Sequence, residues 1–233
     1  MNLIKKDKVG EGASWKVFQC EASDKEYEYP LIIKIAKWKN ASFIHENIRR
    51  HEQVKMLGLP TLAMLQLVVF ENEPALLGEY LNRDGWLYVA TNSVVTQSQR
   101  MLRQMETGTD TFDCEPVAEN WLYDHKLSHL INFPDFLDNV IEDIRTGSKA
   151  RLEIYFDSYF FGIRKGEEVS EIRYIIGDFD QVFHKPSVPE DELFAYNIVE
   201  FKDTMDAFIR NFIVTANQSR YFNIAARKLS KYN

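Results

Sequence analysis

Long hydrophobic runs, cysteine, glycine and proline are all scarce in this sequence. No apolar run approaches the roughly 18 residues of a membrane span, so the sequence predicts no transmembrane helix and no membrane partner. Two cysteines, Cys20 and Cys114, provide no disulfide framework. The ten glycines and seven prolines form no flexible linker. The short polar stretch before Gly10 is unlike a secretory signal, and we expect a cytoplasmic protein.

Basic residues are outnumbered by acidic ones. The sequence contains 28 lysines and arginines against 35 aspartates and glutamates, which gives a net charge of −7. Because binding to a phosphate backbone normally requires a basic face, we expect no nucleic-acid partner. Apolar residues make up 45% of the 233 positions, and aromatic residues make up 13%. The chain can therefore bury a substantial core, as one large domain or as two lobes.

One stretch, residues 173–183, combines a short apolar run with two aspartates. The apolar run at 174–176 predicts a buried strand. Asp178 and Asp180 follow at the point where that strand must end. A strand end is a fixed position from which a carboxylate can reach into a cleft. An acidic turn is the ordinary alternative for these two residues.

The first part of the chain has the pattern of a small antiparallel sheet with one helix. Gly10 and Gly12 lie in a strand–turn–strand pattern, where glycines let backbone N–H groups approach a phosphate; an ordinary hairpin is the alternative. A β-branched strand then carries Lys34 in its middle, which reaches either water or an anionic partner. A helix is predicted over 42–57, and strands are predicted over 64–70 and 75–81.

The part after residue 81 is predicted to be mostly helical. Helices are expected over 96–106, 115–131, 135–145 and 190–214, with a further helix in the C-terminal tail. Asp157 stands alone in the aromatic stretch 152–163. A carboxylate among apolar side chains needs a partner or a function.

The order of these segments resembles the protein-kinase-like superfamily, over roughly residues 9–214. Gly10-x-Gly12-x-x-x-x-Val17 is similar to the glycine-rich phosphate loop, with Trp15 at the position of the third glycine. Lys34 then corresponds to the lysine of the family's third strand. Lys34 follows the glycine pattern at the interval that the family shows.

Two acidic positions extend the resemblance into the second part of the chain. Asp178-Phe179-Asp180 resembles the D-F-G motif with aspartate in place of glycine, a form typical of atypical and small-molecule kinases. Asp157 lies about 20 residues earlier, where the catalytic-loop aspartate is expected. The resemblance implies an α+β, two-lobed protein-kinase-like fold. Its antiparallel N-lobe with one helix would cover residues 1–81, and a minimal, mostly helical C-lobe would cover residues 82–233.

The resemblance also implies a nucleotide site for ATP. The residues it assigns to nucleotide binding are Gly10, Gly12, Val17, Lys34, Glu79 and Leu81, the last two in a segment similar to the hinge that receives adenine. Lys34 would hold the α- and β-phosphates. Glu52 in the predicted helix would orient Lys34, with Glu46 as the second choice.

The implied activity is an ATP- and Mg²⁺-dependent phosphotransferase that acts on a hydroxyl of a protein or a small molecule. Asp178 and Asp180 would bind Mg²⁺, which prefers carboxylate and phosphate oxygens. Asp157 would accept or orient the proton of the attacking hydroxyl. Lys34 and Glu52 complete the implied catalytic set.

Two departures from the family pattern favour an alternative function. The dipeptide before Asp157 is Tyr155-Phe156, where kinases place His-Arg or His-Gly. Five residues after Asp157 stands Gly162, where kinases place a metal-binding asparagine. The alternative is a pseudokinase that binds nucleotide or a protein partner without catalysis.

Overall fold

The chain folds as an α+β protein. The computed structural model describes residues 2–11, 14–23, 26–37, 41–90 and 126–232. Within these ranges it contains four α-helices, ten β-strands and three short 3₁₀ turns.

The first part of the chain forms a five-stranded antiparallel sheet. Its strands are β1 (Leu3–Glu11), β2 (Trp15–Ala22), β3 (Leu31–Ala36), β4 (Leu65–Phe70) and β5 (Glu73–Glu79). They lie in the order β1-β2-β3-β5-β4, so that β5 lies between β3 and β4, which are separated along the chain by a helix. Val17 lies opposite Lys34 in the β2–β3 ladder, and Lys34 lies opposite Leu76 in the β3–β5 ladder. Directly opposite residues share a face, so these three side chains lie on the same side of the sheet.

One helix, α1 (Ala41–Met56), follows β3, within a residue of the predicted bounds. Its buried side chains are Ile44, Asn47, His51 and Val54. Their spacing of three or four residues places them on one helical face. Phe43 and Ile48 pack beside this face against the core, and all the charged residues of the helix lie outside the four buried positions.

Two smaller sheets lie in the second part of the chain. A three-stranded antiparallel sheet has the order β6-β8-β9, and a separate pair joins β7 to β10. The bounds are β6 (Trp86–Ala90), β7 (Leu152–Ile154), β8 (Tyr159–Lys165), β9 (Ser170–Ile176) and β10 (Val182–His184). The sequence predicts only β9 among them. Tyr159, Phe161 and Ile163 alternate along β8 as buried residues, which is the period expected of a strand.

Three helices complete the described part of the second half. They are α2 (Phe133–Lys149), α3 (Glu190–Phe212) and α4 (Thr215–Leu229), which confirms the helices predicted over 135–145, 190–214 and the tail. None of the helices found in the described ranges is long and apolar enough to cross a membrane.

The helix predicted over 115–131 is wrong where it can be assessed. Residues 126–131 are not helical, because Leu127 and Leu130 form isolated parallel bridges to Ile213 and Ser170. Tertiary packing of these two buried leucines overrides their helical spacing. The rest of that segment, and the helix predicted over 96–106, lie outside the described residues.

One hydrophobic core connects the first sheet and α1 with the second part of the chain. It includes Ile44 of α1 and Leu76 of β5 together with Phe133 of α2 and Phe201 of α3. A second, smaller cluster lies within the first sheet around Ile33. The two parts of the chain therefore stabilise each other through shared apolar contacts.

The segment after α1 is also fastened to the end of β9 by hydrogen bonds. The amide of Ile176 donates to the Pro60 carbonyl at 2.8 Å. The Thr61 hydroxyl donates to the Ile176 carbonyl at 2.9 Å. This junction fixes the end of β9, directly before Gly177, against the segment that follows α1.

The position of α2 in the core gives a stability prediction. Leu137 on α2 is fully buried, and Leu137→Ala should lower the free energy of unfolding by about 2–5 kcal/mol, because the cavity cannot fully collapse. Val199 on α3 is 46% exposed, and Val199→Ala should change it by less than about 0.5 kcal/mol. Urea denaturation of both variants measures the difference. Equal losses would contradict the packing described for α2.

Candidate functional site

The loop that carries Asp157 is held by α3. It runs from β7 through a 3₁₀ turn at Phe156–Ser158 into β8. The Asn197 side chain accepts from the Ile154 amide at 2.8 Å, and Glu200 accepts from the Phe156 amide at 3.1 Å. Asn197 is fully buried. Because both acceptors lie on one helix, the loop has a fixed orientation against α3.

Asp157 lies in an environment that favours its neutral form. Burial, followed by the charges of Asp178, Glu200 and Asp180, raises the pKa of the Asp157 carboxyl to about 7. Its Oδ1 atom is buried and meets no hydrogen-bond partner among the described residues. A buried polar atom without a partner is costly and is typical of a group that awaits a ligand or a proton.

The segment Asp178–Asp180, here called the acid segment, follows β9 directly. Burial and the charge of Asp180 raise the pKa of Asp178, while the Lys34 ammonium opposes that rise. The Asp178 carboxylate accepts from the Asp180 amide at 3.4 Å. Phe179 between them is fully buried, and its ring lies 5.1 Å from the His51 ring in an edge-to-face contact. The central phenylalanine therefore anchors the segment while both aspartates face the site.

Pairing of β7 with β10 brings the Asp157 loop and the acid segment together. Val182 lies opposite Ile154 in this pair. The Tyr155 amide donates to the Gln181 carbonyl at 3.1 Å, and the Gly177 amide donates to the Ser158 carbonyl at 2.9 Å. Backbone hydrogen bonds on both sides thus place the two acidic elements next to each other.

Lys34 reaches the same site from β3 of the five-stranded sheet. It is only 8% exposed, and its Nζ lies 5.0 Å from the centre of the Trp15 ring. Its positive charge acts to lower the pKa of Asp178, against the larger effect of burial. A buried ammonium requires an aromatic face or an anion nearby, and Trp15 and Asp178 supply these.

Trp15 links β2 to the acid segment. Its indole Nε1 donates to Asp180 Oδ2 at 3.0 Å, its ring stacks on Phe43 at 5.2 Å, and the residue is 4% exposed. The sequence interpretation placed Trp15 at a glycine position without a role. The signal was the period of two along β2, which puts Trp15 on the same face as Val17 and Lys34.

The ion pair expected between Lys34 and a glutamate of α1 is not formed. Glu52 is exposed on the helix beside the buried His51, because the inward face of α1 passes through His51 and leaves its neighbour outside. Glu46 instead accepts from Arg49 Nη2 at 2.6 Å and from Arg50 Nε at 3.0 Å. The expectations for Glu52 and for Glu46 as partners of Lys34 therefore both need correction.

Arg50 of α1 contacts the acid segment directly, which the sequence reasoning missed. Its Nη1 donates to the carbonyls of Phe179 and Asp180, at 2.9 Å in each case. The guanidinium also lies 4.6 Å from the centre of the Phe183 ring. No sequence pattern marks Arg50, because an arginine on an amphipathic helix is usually solvated.

Gly10, Gly12 and Glu79 were expected to bind nucleotide, and the structure describes two of them. Gly10 lies opposite Val17, one residue before the end of the β1–β2 ladder, whereas Gly12 lies outside the described residues. The Glu79 side chain is buried and accepts from the Ala63 amide and from Arg83. The Glu79 side chain therefore has a structural role, because it binds Ala63 and Arg83.

Leu81 occupies the end of the expected hinge. Its side chain packs against the main core, and its carbonyl accepts from the Arg83 amide at 2.9 Å. The Tyr80 amide donates to the Pro30 carbonyl at 2.7 Å. Backbone groups of this segment are therefore already used within the fold.

Gly162, the departure from the expected asparagine, has a packing explanation. It lies on β8 between Tyr88 and Arg173. A Cβ at this position would meet the Tyr88 ring at 2.8 Å, so that a side chain here would force the Tyr88 ring to move. Position 162 belongs to the three-stranded sheet and provides no ligand to the site.

The carboxylates fit a cation that completes its coordination with other oxygens. The described residues contain no group of three or more His, Cys, Asp or Glu side chains arranged around a metal position. Asp180 Oδ1 is nevertheless buried without a hydrogen-bond partner in the described ranges. Mg²⁺ is usually held by one or two carboxylates together with phosphates and waters, so Asp178 and Asp180 suit it better than a metal that needs a full protein cage.

Comparison with known proteins adds no family to this description. No protein-family model matches the chain, and no curated protein matches its sequence.

The raised pKa of Asp157 gives a pH prediction. Because its folded pKa of about 7 lies above the unfolded value of about 4, its stabilising contribution is full below the unfolded pKa and is lost as the pH rises through the folded pKa. Asp157→Asn should remove this loss, on the order of 1–3 kcal/mol between about pH 4 and about pH 8. Urea denaturation across that range measures the free energy of unfolding.

The matched control is Asp84→Asn. Its side chain is 84% exposed, so the variant should follow the pH profile of the unmodified protein. If Asp157→Asn also follows that profile, Asp157 does not titrate in the way its burial requires.

Proposed function

We propose that this protein is a two-lobed, protein-kinase-like phosphotransferase that uses ATP and Mg²⁺ to phosphorylate a hydroxyl group. The observation that supports it most is the convergence of Lys34 from the first sheet with Asp157 and Asp178 from the second part of the chain. Each of the two carboxyl groups has a raised pKa, and the positive charge of Lys34 partly offsets this rise for Asp178. Phosphoryl transfer needs a cation and carboxylates close together, and here they lie between the five-stranded sheet and the β7–β10 pair.

The order of the elements supports the same proposal. The Asp157 loop lies between β7 and β8, and the acid segment lies between β9 and β10. β7 pairs with β10, and β8 pairs with β9. This arrangement agrees with the resemblance of the motifs to the protein-kinase-like superfamily, with residues 1–81 as the N-lobe and residues 82–233 as the C-lobe.

The nucleotide would lie between Lys34 and the acid segment. Lys34 would neutralise phosphate oxygens, and Asp178 and Asp180 would hold Mg²⁺. ATP supplies the phosphoryl group when it is bound. Phosphoryl transfer depends on position and charge neutralisation more than on covalent participation by the protein, and the fixed acid segment suits this requirement.

Asp157 would act on the hydroxyl of the substrate. A general base works best when its pKa lies near the working pH. The pKa of about 7 for Asp157 satisfies this condition, because the carboxyl can both accept and return a proton near neutrality. Its unpartnered Oδ1 atom is the acceptor available for that proton.

A pseudokinase that binds nucleotide without turnover is the second candidate. The observation that favours it is Trp15, whose indole contacts Asp180 and whose ring lies below Lys34. These contacts engage two of the groups that the proposed reaction uses. Gly162, in place of an asparagine ligand, supports the same alternative.

Removal of either charge tests the proposed function. Lys34→Met and Asp178→Asn should each reduce the rise in melting temperature caused by ATP and Mg²⁺, and should lower ATP hydrolysis at least about a hundredfold, since each removes an electrostatic contact in a buried site. Lys16→Met is the control, because Lys16 is exposed on the opposite face of β2. Differential scanning fluorimetry and a phosphate-release assay supply the two readouts.

The outcomes separate the candidates. Stabilisation by ATP and Mg²⁺ with turnover supports the enzyme, and stabilisation without turnover supports the pseudokinase. If neither ATP nor Mg²⁺ changes the melting temperature of the unmodified protein, both proposals are wrong.

A further inference from the structure

The contact between α1 and the acid segment passes through one side chain. Arg50 Nη1 donates to two consecutive carbonyls, those of Phe179 and Asp180, at 2.9 Å in each case. Hydrogen bonds from a charged donor are stronger than those between neutral groups. Because the Arg50 side chain is only 15% exposed, water competes weakly for these carbonyls.

The guanidinium of Arg50 is itself held on two further sides. Glu46 Oε1 accepts from Arg50 Nε at 3.0 Å, one helical turn away. The ring of Phe183 on β10 lies 4.6 Å from the guanidinium carbon. A planar cation fixed by a carboxylate and an aromatic ring loses little further freedom when it binds its acceptors. Arg50 is therefore ordered independently of any ligand.

One of the two carbonyls is connected through its peptide unit to the Asp178 carboxylate. The Phe179 carbonyl belongs to the same peptide plane as the Asp180 amide, and that amide donates to Asp178 Oδ1 at 3.4 Å. A peptide unit is planar and rigid. When Arg50 holds the carbonyl, it also orients the amide that contacts the Asp178 side chain.

The same helix provides no carboxylate to Lys34. Glu52 is exposed, and Glu46 is bound to arginines. The expected contact was a glutamate of α1 with Lys34. The observed contact has the opposite charge, because α1 contributes the cation Arg50 to the backbone of the acid segment. Lys34 relies on Trp15 and on the charge of Asp178.

We propose that Arg50 is a positioning residue that couples α1 to the acid segment and sets the orientation of Asp178 and Asp180. The proposal rests on the proposed function for its effect on Mg²⁺, but its structural part stands without that function. Arg50 touches only backbone carbonyls of the acid segment, so it acts through Asp178 and Asp180 and is not a catalytic residue. The position of α1 then controls whether the site can hold the metal.

The test compares two neighbouring arginines. Arg50→Met keeps the apolar stem and removes every donor, and Arg50→Lys keeps the charge without the planar fork. Arg49→Met is the matched control, because Arg49 also binds Glu46 but its side chain is 55% exposed and its partner is that glutamate rather than the acid segment. All variants are compared well below their melting temperatures, so that loss of stability alone does not change the readouts.

The first readout is the indole N–H resonance of Trp15 in ¹⁵N-labelled protein. This group donates to Asp180 and reports the position of the acid segment without any nucleotide. The chain has four tryptophans, and Trp15→Phe assigns the resonance. The second readout is the Mg²⁺ concentration that gives half-maximal ATP turnover.

We expect Arg50→Met to shift the Trp15 resonance and to raise the required Mg²⁺ concentration about 10- to 100-fold, the usual effect of losing a group that orients metal ligands. Arg50→Lys should give an intermediate value, and Arg49→Met should change neither readout. An unchanged Trp15 resonance in Arg50→Met overturns the proposal. If no variant binds ATP but the resonance still shifts only with Arg50, the proposed function fails while the positioning role holds.

Discussion

The enclosure of Lys34 together with Asp157, Asp178 and Asp180 is the constraint on which the rest of the structure depends. Transfer of a charged group from water into a protein interior costs several kcal/mol unless partners compensate. Of the neighbouring elements, β2 supplies such a partner in the indole of Trp15, whereas α1 and α3 hold the backbone around the aspartates through Arg50 and Glu200. The pairing of β7 with β10 then keeps the two acidic segments side by side.

The charge balance of the site connects this architecture to the proposed reaction. Burial is the main cause of the raised pKa values of Asp157 and Asp178, and the charges of neighbouring carboxylates raise them further. A bound divalent cation would lower both pKa values and would favour the ionised forms. Burial together with these neighbouring charges explains how Asp157 could exchange a proton near neutral pH.

The sequence predicted the elements whose signals are local. The period of α1, the strand before Asp178 and the β-branched strand around Lys34 depend on nearby residues, and all three are confirmed. The roles of Trp15 and Arg50 depend on what lies opposite them in space, and the single sequence does not state this. Glu52 was assigned as the partner of Lys34 through the resemblance, although the rotation of α1 is set by Ile44, Asn47, His51 and Val54. Gly162 could be explained only once Tyr88 was placed beside it.

The central claim is that Lys34, Asp157, Asp178 and Asp180 form one site for a metal–nucleotide complex. A crystal structure with Mn²⁺ and a non-hydrolysable ATP analogue, with data collected at the manganese absorption edge, tests this claim most directly. The account predicts an anomalous peak about 2.0–2.3 Å from a carboxylate oxygen of Asp178 or Asp180, with phosphate oxygens on the side of Lys34. The account would be contradicted if the nucleotide and the metal bound elsewhere. It would also be contradicted if neither bound at this site at saturating concentrations.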